Sequence, residues 1–197
     1  LGGRCRYCKE KISIQYPAVE ILTGLLFVLI LIFGDVGLPA GSPTSLLNLA
    51  FLFYVVSSLI VIFVYDLKHY LIPDKILLPA IAIAFVYRFF VPLGGYLLAV
   101  MIGSGFFLFI FLISKGRWMG FGDVKLAVLL GLLLGFPNIL AGLFLAFFFG
   151  AIIGIILMVF KKKELRSEIP FGPFLIFGTF VALFWGQKII DWYLNTL

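Results

Sequence analysis

The stretch NILAGLFLAFFFGAIIGIILMVF, residues 138–160, is 23 residues long and contains no charged side chain. An α-helix rises about 1.5 Å per residue, so roughly 20 apolar residues cross the ~30 Å hydrocarbon core of a bilayer. Backbone polar groups in lipid must be bonded internally, which a helix achieves. This stretch therefore predicts a membrane-spanning helix.

The composition of the whole chain agrees with a membrane protein. Of 197 residues, 63% are hydrophobic and 12% are charged, whereas soluble domains contain roughly 25% charged residues. The net charge of +6 needs no nucleic acid to explain it, because basic residues are expected in cytoplasmic loops. No basic stripe is interleaved with exposed aromatic residues, so we expect no nucleic-acid partner.

Six further apolar segments flank this stretch, so we predict an all-α, polytopic membrane protein with about seven transmembrane segments. The seven segments are 18–33, 46–65, 76–91, 93–113, 124–136, 138–160 and 171–194. The fifth is shorter than the roughly 17–25 residues of a usual span, and a re-entrant hairpin is the alternative there.

The basic residues test this topology. If the N-terminus is cytoplasmic and all seven segments cross, 13 of the 15 Lys and Arg residues fall in cytoplasmic loops, and only Arg88 and Lys188 lie outside. Cytoplasmic loops are enriched in Lys and Arg, so this distribution supports both the number of spans and their orientation. The thirteen are Arg4, Arg6, Lys9, Lys11, Lys68, Lys75, Lys115, Arg117, Lys125, Lys161, Lys162, Lys163 and Arg166.

Four of the nine acidic residues, Glu20, Asp66, Asp74 and Asp123, fall at the cytoplasmic ends of predicted spans. Asp66 ends an apolar run, where the helix dipole disfavours a negative charge. It is either a lipid-interface residue or a functional acid. Asp74 follows Pro73 and opens the next span, so an N-cap role covers it.

Asp123 lies in GFGD, residues 120–123, at the start of the fifth segment. It could cap the helix, or it could be a functional group. The cap alone leaves Gly120 and Gly122 unexplained, because such glycines permit unusual torsions and close approach by another chain.

Two such carboxylates that share a proton can act as general acid and general base, which is peptide hydrolysis without a metal. The single His69 has no HExxH pattern around it, and no GxSxG motif occurs. A proton-coupled transporter is an alternative, but its acids should be distributed through the membrane depth. A membrane scaffold would leave the acid pair unexplained.

Three stretches resemble the prepilin peptidases, also called type IV leader peptidases. They are GFGD at 120–123, YDLKHYLIPD at 65–74 and RCRYCKEKISIQYPAVEILTG at 4–24. RSEIPFGPFL at 166–175 also resembles a family loop that could help line the site. Presenilin-like intramembrane proteases share the GxGD pattern but lack the cysteine-rich stretch, and they are the alternative among enzymes.

The resemblance implies an aspartic endopeptidase of the bacterial inner membrane that cuts the basic leader from type IV prepilins or pseudopilins at the cytoplasmic face. It implies Asp66 and Asp123 as the catalytic pair. It also implies methylation of the new N-terminus with S-adenosylmethionine in many members. No cofactor is expected for proteolysis.

Further site residues are expected around the acid pair. Lys125 would either tune Asp123 or bind a lipid phosphate, and Glu20 could bind the substrate amine. The expected substrate-binding residues are Gly120, Phe121, Gly122, Lys125, Glu20 and Asp74.

The N-terminal region holds the only two cysteines, Cys5 and Cys8. Bacterial members of the family usually carry two Cys-x2-Cys pairs that bind zinc. Cys5 and Cys8 alone form an incomplete site, which can hold zinc if another chain or a missing segment supplies further ligands. The chain starts at Leu1 without a signal-peptide pattern, so we expect a missing N-terminal part. We divide the 197-residue chain into a cytoplasmic cysteine-containing segment, 1–17, and a transmembrane catalytic domain, 18–197.

Overall fold

The computed structural model of this protein describes residues 7, 10, 13–33, 46–90, 93–160 and 170–196. Regular structure in these parts of the chain consists of seven α-helices. Their bounds are α1 Gln15–Ile32, α2 Leu46–His69, α3 Asp74–Arg88, α4 Gly94–Ser114, α5 Phe121–Leu134, α6 Asn138–Val159 and α7 Gly172–Asn195. Each helix coincides with one apolar segment of the sequence, and the predicted class of a polytopic helical membrane protein is confirmed.

Five of the described helices, α1, α2, α4, α6 and α7, are long and apolar enough to cross a membrane. The other two are shorter, with 15 residues in α3 and 14 in α5. A 14-residue helix extends about 21 Å, which is less than the ~30 Å hydrocarbon core. The structure therefore confirms that the fifth segment is shorter than a usual span.

Helix α5 is short but lies at the centre of the bundle. It packs against α3, α4, α6 and α7, and ten of its fourteen residues are buried. Irregular backbone at membrane depth is tolerated where protein surrounds it, so the other helices can shield both ends of α5. Close packing helps: a Cβ at Gly131 would lie 2.7 Å from the backbone nitrogen of Val100 in α4.

Arg88, the last residue of α3, binds the C-terminal end of α5. Its Nε donates to the carbonyl oxygen of Leu132 at 2.7 Å, and its Nη2 donates to that of Leu133 at 3.0 Å. The guanidinium also lies 3.7 Å from the centroid of the Tyr96 ring. The last four carbonyls of a helix have no intrahelical partner, and a cation there is favoured by the helix dipole.

The sequence analysis assigned Arg88 to the outer side of the membrane but did not predict that this residue is buried. Its side chain is only 1% exposed. Burial is possible because the α5 carbonyls and the aromatic rings replace the water around the guanidinium.

We predict that Arg88→Met lowers the melting temperature of the protein in detergent, because two carbonyls of α5 lose their donor. An unsatisfied buried polar group costs about 1–3 kcal/mol. Arg88→Lys keeps the charge but not the two-pronged geometry, so an intermediate loss is expected. The control is Lys188→Met, which removes an exposed cation. Equal melting temperatures for Arg88→Met and Lys188→Met would contradict the capping role.

Candidate active site

Several helix ends surround one cavity of about 1010 Å³, which we call the acid cavity. Its wall includes the end of α2, the 70–73 connection and the start of α3. The 116–120 connection, the start of α5 and residues 170–171 complete it. The topology thus brings together segments that are more than 40 residues apart in the sequence.

Asp66 lies in the last turn of α2 and is 4% exposed. Its carboxylate accepts a hydrogen bond from the backbone N–H of Gly172, the first residue of α7. The start of a helix carries unpaired N–H groups and a partial positive charge. The N-terminus of α7 therefore offsets the unfavourable dipole at the end of α2, which the sequence analysis identified as a problem for Asp66.

Gly172 is a residue that the sequence analysis did not single out. A Cβ at this position would overlap the Oδ2 atom of Asp66. Only glycine allows α7 to begin this close to the carboxylate. The available signal was its place in RSEIPFGPFL, the stretch expected to help line the site, and Pro170 and Phe171 do line the acid cavity.

Asp123 is the third residue of α5 and is 8% exposed. Its carboxylate accepts a hydrogen bond from the backbone N–H of Gly120, which occupies the N-cap position. An acid at this position bonds to the N-cap in the same way in a capping box. Asp123 also interacts electrostatically with Asp66, and both line the acid cavity. The two interpretations offered for Asp123, a cap and a member of an acid pair, are therefore compatible.

The two glycines of GFGD serve different purposes. Gly120 has an ordinary extended backbone with φ −75° and ψ 152°, and Gly122 lies within a regular helix, so the expectation of unusual torsions was wrong. Close approach does occur at Gly122, where a Cβ would lie 3.2 Å from the Cβ of Ile72. Gly122 lets α5 pack against the connection that follows Asp66.

Asp74 and Lys125 form an ion pair across the acid cavity. Asp74 is the first residue of α3, and Pro73 occupies its N-cap position. The N-cap interpretation of Asp74 was therefore wrong. Lys125, for which Asp123 and lipid phosphate were the expected partners, binds Asp74 and joins the N-terminal ends of α3 and α5.

The remaining predicted residues divide into three groups. Phe121 lines the acid cavity. Glu20 is an exposed residue of α1 and is not among the residues that line this cavity. Cys5 and Cys8 lie outside the described residues. Within the described parts of the chain, no group of three or more His, Cys, Asp or Glu side chains is arranged to hold a metal.

Other residues of the acid cavity have no signal in the sequence that would have identified them. Arg117 and Trp118 lie in the connection before α5, and Tyr70 lies in the connection after α2. Arg117 and Trp118 belong to no motif, Tyr70 falls within YDLKHYLIPD without a role of its own, and only the folding of the two connections brings the three together.

The fold and the cavity define a multi-pass membrane protein with a buried pair of carboxylates at its helix ends. The family model described as the type IV leader peptidase family matches residues 53–155, and the model of the bacterial Peptidase A24 N-terminal domain matches residues 1–33. This chain belongs to the type IV leader peptidase family. The family predicted from the sequence motifs is thus confirmed, and the transporter and presenilin-like alternatives are not favoured.

Three relatives illustrate the similarity, and each is named prepilin leader peptidase/N-methyltransferase. The protein of Aeromonas salmonicida (strain A449) is 37% identical over 100% of this chain, that of Aeromonas hydrophila 36% over 99%, and that of Legionella pneumophila 33% over 99%. The matched region is 67% of each relative, so this chain spans about two thirds of their length. No solved structure matches the chain significantly.

We predict that Gly172→Ala reduces peptidase activity about tenfold, because the new Cβ forces the Asp66 carboxylate and the start of α7 apart. Overpacking of this kind costs about 1–3 kcal/mol, and 1.4 kcal/mol corresponds to a factor of ten. The measurement is cleavage of a purified prepilin at matched amounts of folded enzyme. Gly105→Ala is the control, since a Cβ there meets no atom within 4 Å. Full activity of Gly172→Ala would refute the close approach.

We predict that Asp74→Asn and Lys125→Met each reduce stability by no more than roughly 1 kcal/mol, because the ion pair is partly exposed. The double variant should lose no more than either single variant, since both remove the same interaction. Unfolding in detergent measures all four proteins of this cycle. Cleavage should fall only a few-fold. If Asp74→Asn instead abolishes cleavage, Asp74 rather than Asp66 is the functional acid of the 65–74 stretch.

Proposed function

We propose that this chain is a membrane aspartic endopeptidase that removes the basic leader from type IV prepilins or pseudopilins. The single observation that supports this most strongly is the pairing of Asp66 and Asp123, which come from separate helices, line one cavity and interact electrostatically. The sequence contains neither a GxSxG motif nor an HExxH pattern that would offer another hydrolytic site. The family membership identifies the reaction class, and the carboxylate pair offers the chemistry for it.

In this proposal the two carboxylates share one proton. The ionised carboxylate removes a proton from water, and the resulting hydroxide attacks the carbonyl carbon of the scissile peptide bond. The protonated partner donates its proton to the carbonyl oxygen. When the tetrahedral intermediate collapses, the C–N bond breaks and the proton held by the first carboxyl passes to the leaving amine, while a hydroxyl of the intermediate returns a proton to the second carboxylate.

Backbone groups hold both acids in place for these steps. The N–H groups of Gly172 and Gly120 each donate to one carboxylate. Because these donors belong to helix N-termini, they are fixed before the substrate arrives. A substrate helix must unwind locally to expose its peptide bond, and the acid cavity of about 1010 Å³ has room for an extended segment beside Phe121 and Gly122.

The place of the reaction in the cell follows from the same proposal. In this proposal the acid cavity lies on the cytoplasmic side of the bacterial inner membrane, and the positive-inside distribution of the basic residues supports that orientation. A basic leader would then remain in the cytoplasm, while the apolar segment that follows it stays in the bilayer.

We also propose that the chain takes part in N-methylation, because its relatives are named as N-methyltransferases. S-adenosylmethionine would supply the methyl group, and the acceptor is the amine that cleavage exposes. A zinc site at Cys5 and Cys8 likewise stays a prediction.

The test is cleavage of a purified prepilin by the protein in liposomes, followed by mass spectrometry. We predict that Asp66→Asn and Asp123→Asn each reduce the rate at least about a thousandfold, because the remaining carboxyl cannot act as both acid and base. Both variants should insert and purify normally, since Asn preserves the shape of the side chain. Normal cleavage by either variant would refute the pair.

A strong zinc chelator provides a control on the chemistry. If the carboxylates activate water directly, chelation leaves the cleavage rate largely unchanged. If chelation stops cleavage and added zinc restores it, the aspartates act as metal ligands, and the proposed mechanism is wrong.

A further inference from the structure

A second concave surface of about 460 Å³ lies next to the acid cavity, between α2, α6 and α7. We call it the apolar groove. On α6 it is lined by Phe149, Ile153 and Leu157, which are spaced four residues apart and so share one face of that helix. This stripe extends over about 12 Å, or roughly two helical turns.

The facing helices contribute similar stripes. Phe63 and Leu67 line the apolar groove from α2, while Phe174 and Phe177 line it from α7. Rows of large apolar side chains from three helices therefore line the apolar groove along the direction of the helices. A groove of this form accepts the face of another apolar helix, with its side chains anchored at every third or fourth position.

The apolar groove adjoins the acid cavity. Tyr70 and Pro170 line both, and Leu67 follows Asp66 directly in the chain. Tyr70 has φ 56°, a left-handed conformation that costs about 1–2 kcal/mol for a residue with a side chain. Strained residues of this kind concentrate at functional sites. The turn at Tyr70 places its side chain at the boundary between the two cavities.

The lining changes from charged to apolar between the acid cavity and the apolar groove. The acid cavity includes the charged side chains of Asp74, Arg117 and Lys125 at the ends of helices. The apolar groove continues from the acids along the helices toward their middle, as the positions of Phe149 and Phe177 show. A bound chain that extends through both is matched best if it is polar in the acid cavity and apolar in the groove.

We propose that the apolar groove is the docking site for the apolar helix of the substrate, occupied by the first two turns that follow the scissile bond. The inference rests on the proposed function, which supplies a substrate with a polar leader and an apolar membrane segment. It goes further by assigning the surface that holds the retained part of the substrate during the cut.

The shape of the groove favours a helix over lipid as its occupant during catalysis. Association of helices within a bilayer depends on van der Waals packing rather than on removal of water. A preformed concave surface offers such packing to a rigid helix, whereas a flexible acyl chain loses conformational entropy on binding there. Docking of the helix would also fix the position of the peptide bond relative to Asp66 and Asp123.

Site-specific photocrosslinking tests the proposal. A benzophenone side chain replaces Ile153, which faces the groove, or Ile155, which is 56% exposed on another face of α6. Both are made with Asp123→Asn, so that the prepilin stays uncleaved in liposomes. We expect the probe at position 153 to attach to the substrate within about two turns after the scissile bond, and the probe at 155 to attach to lipid. Attachment to lipid alone at both positions, or equal attachment to the substrate, overturns the proposal.

Steady-state kinetics provide a second readout with the active enzyme. Ile153→Trp fills the groove, so we expect KM for prepilin to rise at least about tenfold while kcat changes less. Ile155→Trp should leave both constants within about twofold, since surface substitutions usually have small effects. If the unaltered chain cleaves prepilin but Ile153→Trp leaves KM unchanged, the groove proposal alone fails. If the unaltered chain cleaves no prepilin, the proposed function fails and the groove proposal fails with it.

Discussion

Two carboxylates are kept from water at the ends of helices, and the start of a helix provides a backbone N–H to each. Burial of an ionised group in a membrane protein is costly unless fixed dipoles replace the lost water. The N-terminus of α7 meets Asp66 at the end of α2, and the N-terminus of α5 surrounds Asp123. These two arrangements constrain the rest of the molecule, because each requires a helix to begin at one defined place.

Two glycines, which have no side chain, allow these helix starts to approach their neighbours closely. Gly172 allows α7 to reach Asp66, and Gly122 allows α5 to pack on Ile72 in the connection that follows Asp66. At the opposite end of α5, Arg88 binds the last carbonyls. The short central helix is thus held at both ends, and its depth in the bundle determines where Asp123 lies relative to Asp66.

In the proposed function, the acid cavity and the apolar groove together bind a substrate of mixed polarity. Charged side chains occur at the helix ends, the acid pair follows, and apolar rows continue along α2, α6 and α7. A chain that enters from the aqueous side can therefore remain solvated up to the scissile bond, while its remainder stays in an apolar environment throughout. Such a gradient positions the peptide bond without any requirement for recognition of many side chains.

The sequence by itself determined the fold class and the seven helical segments, because apolar length and charge distribution are local properties of the chain, and its short motifs predicted the acid pair. It did not reveal that Arg88 is buried, that Asp74 pairs with Lys125 or that Gly172 contacts Asp66. Only the tertiary structure decided these contacts, since each joins residues more than 40 positions apart and depends on which helix ends converge. The apolar groove has the same origin. Its side chains are ordinary apolar residues of three separate helices, and they form one concave surface only when the helices pack side by side.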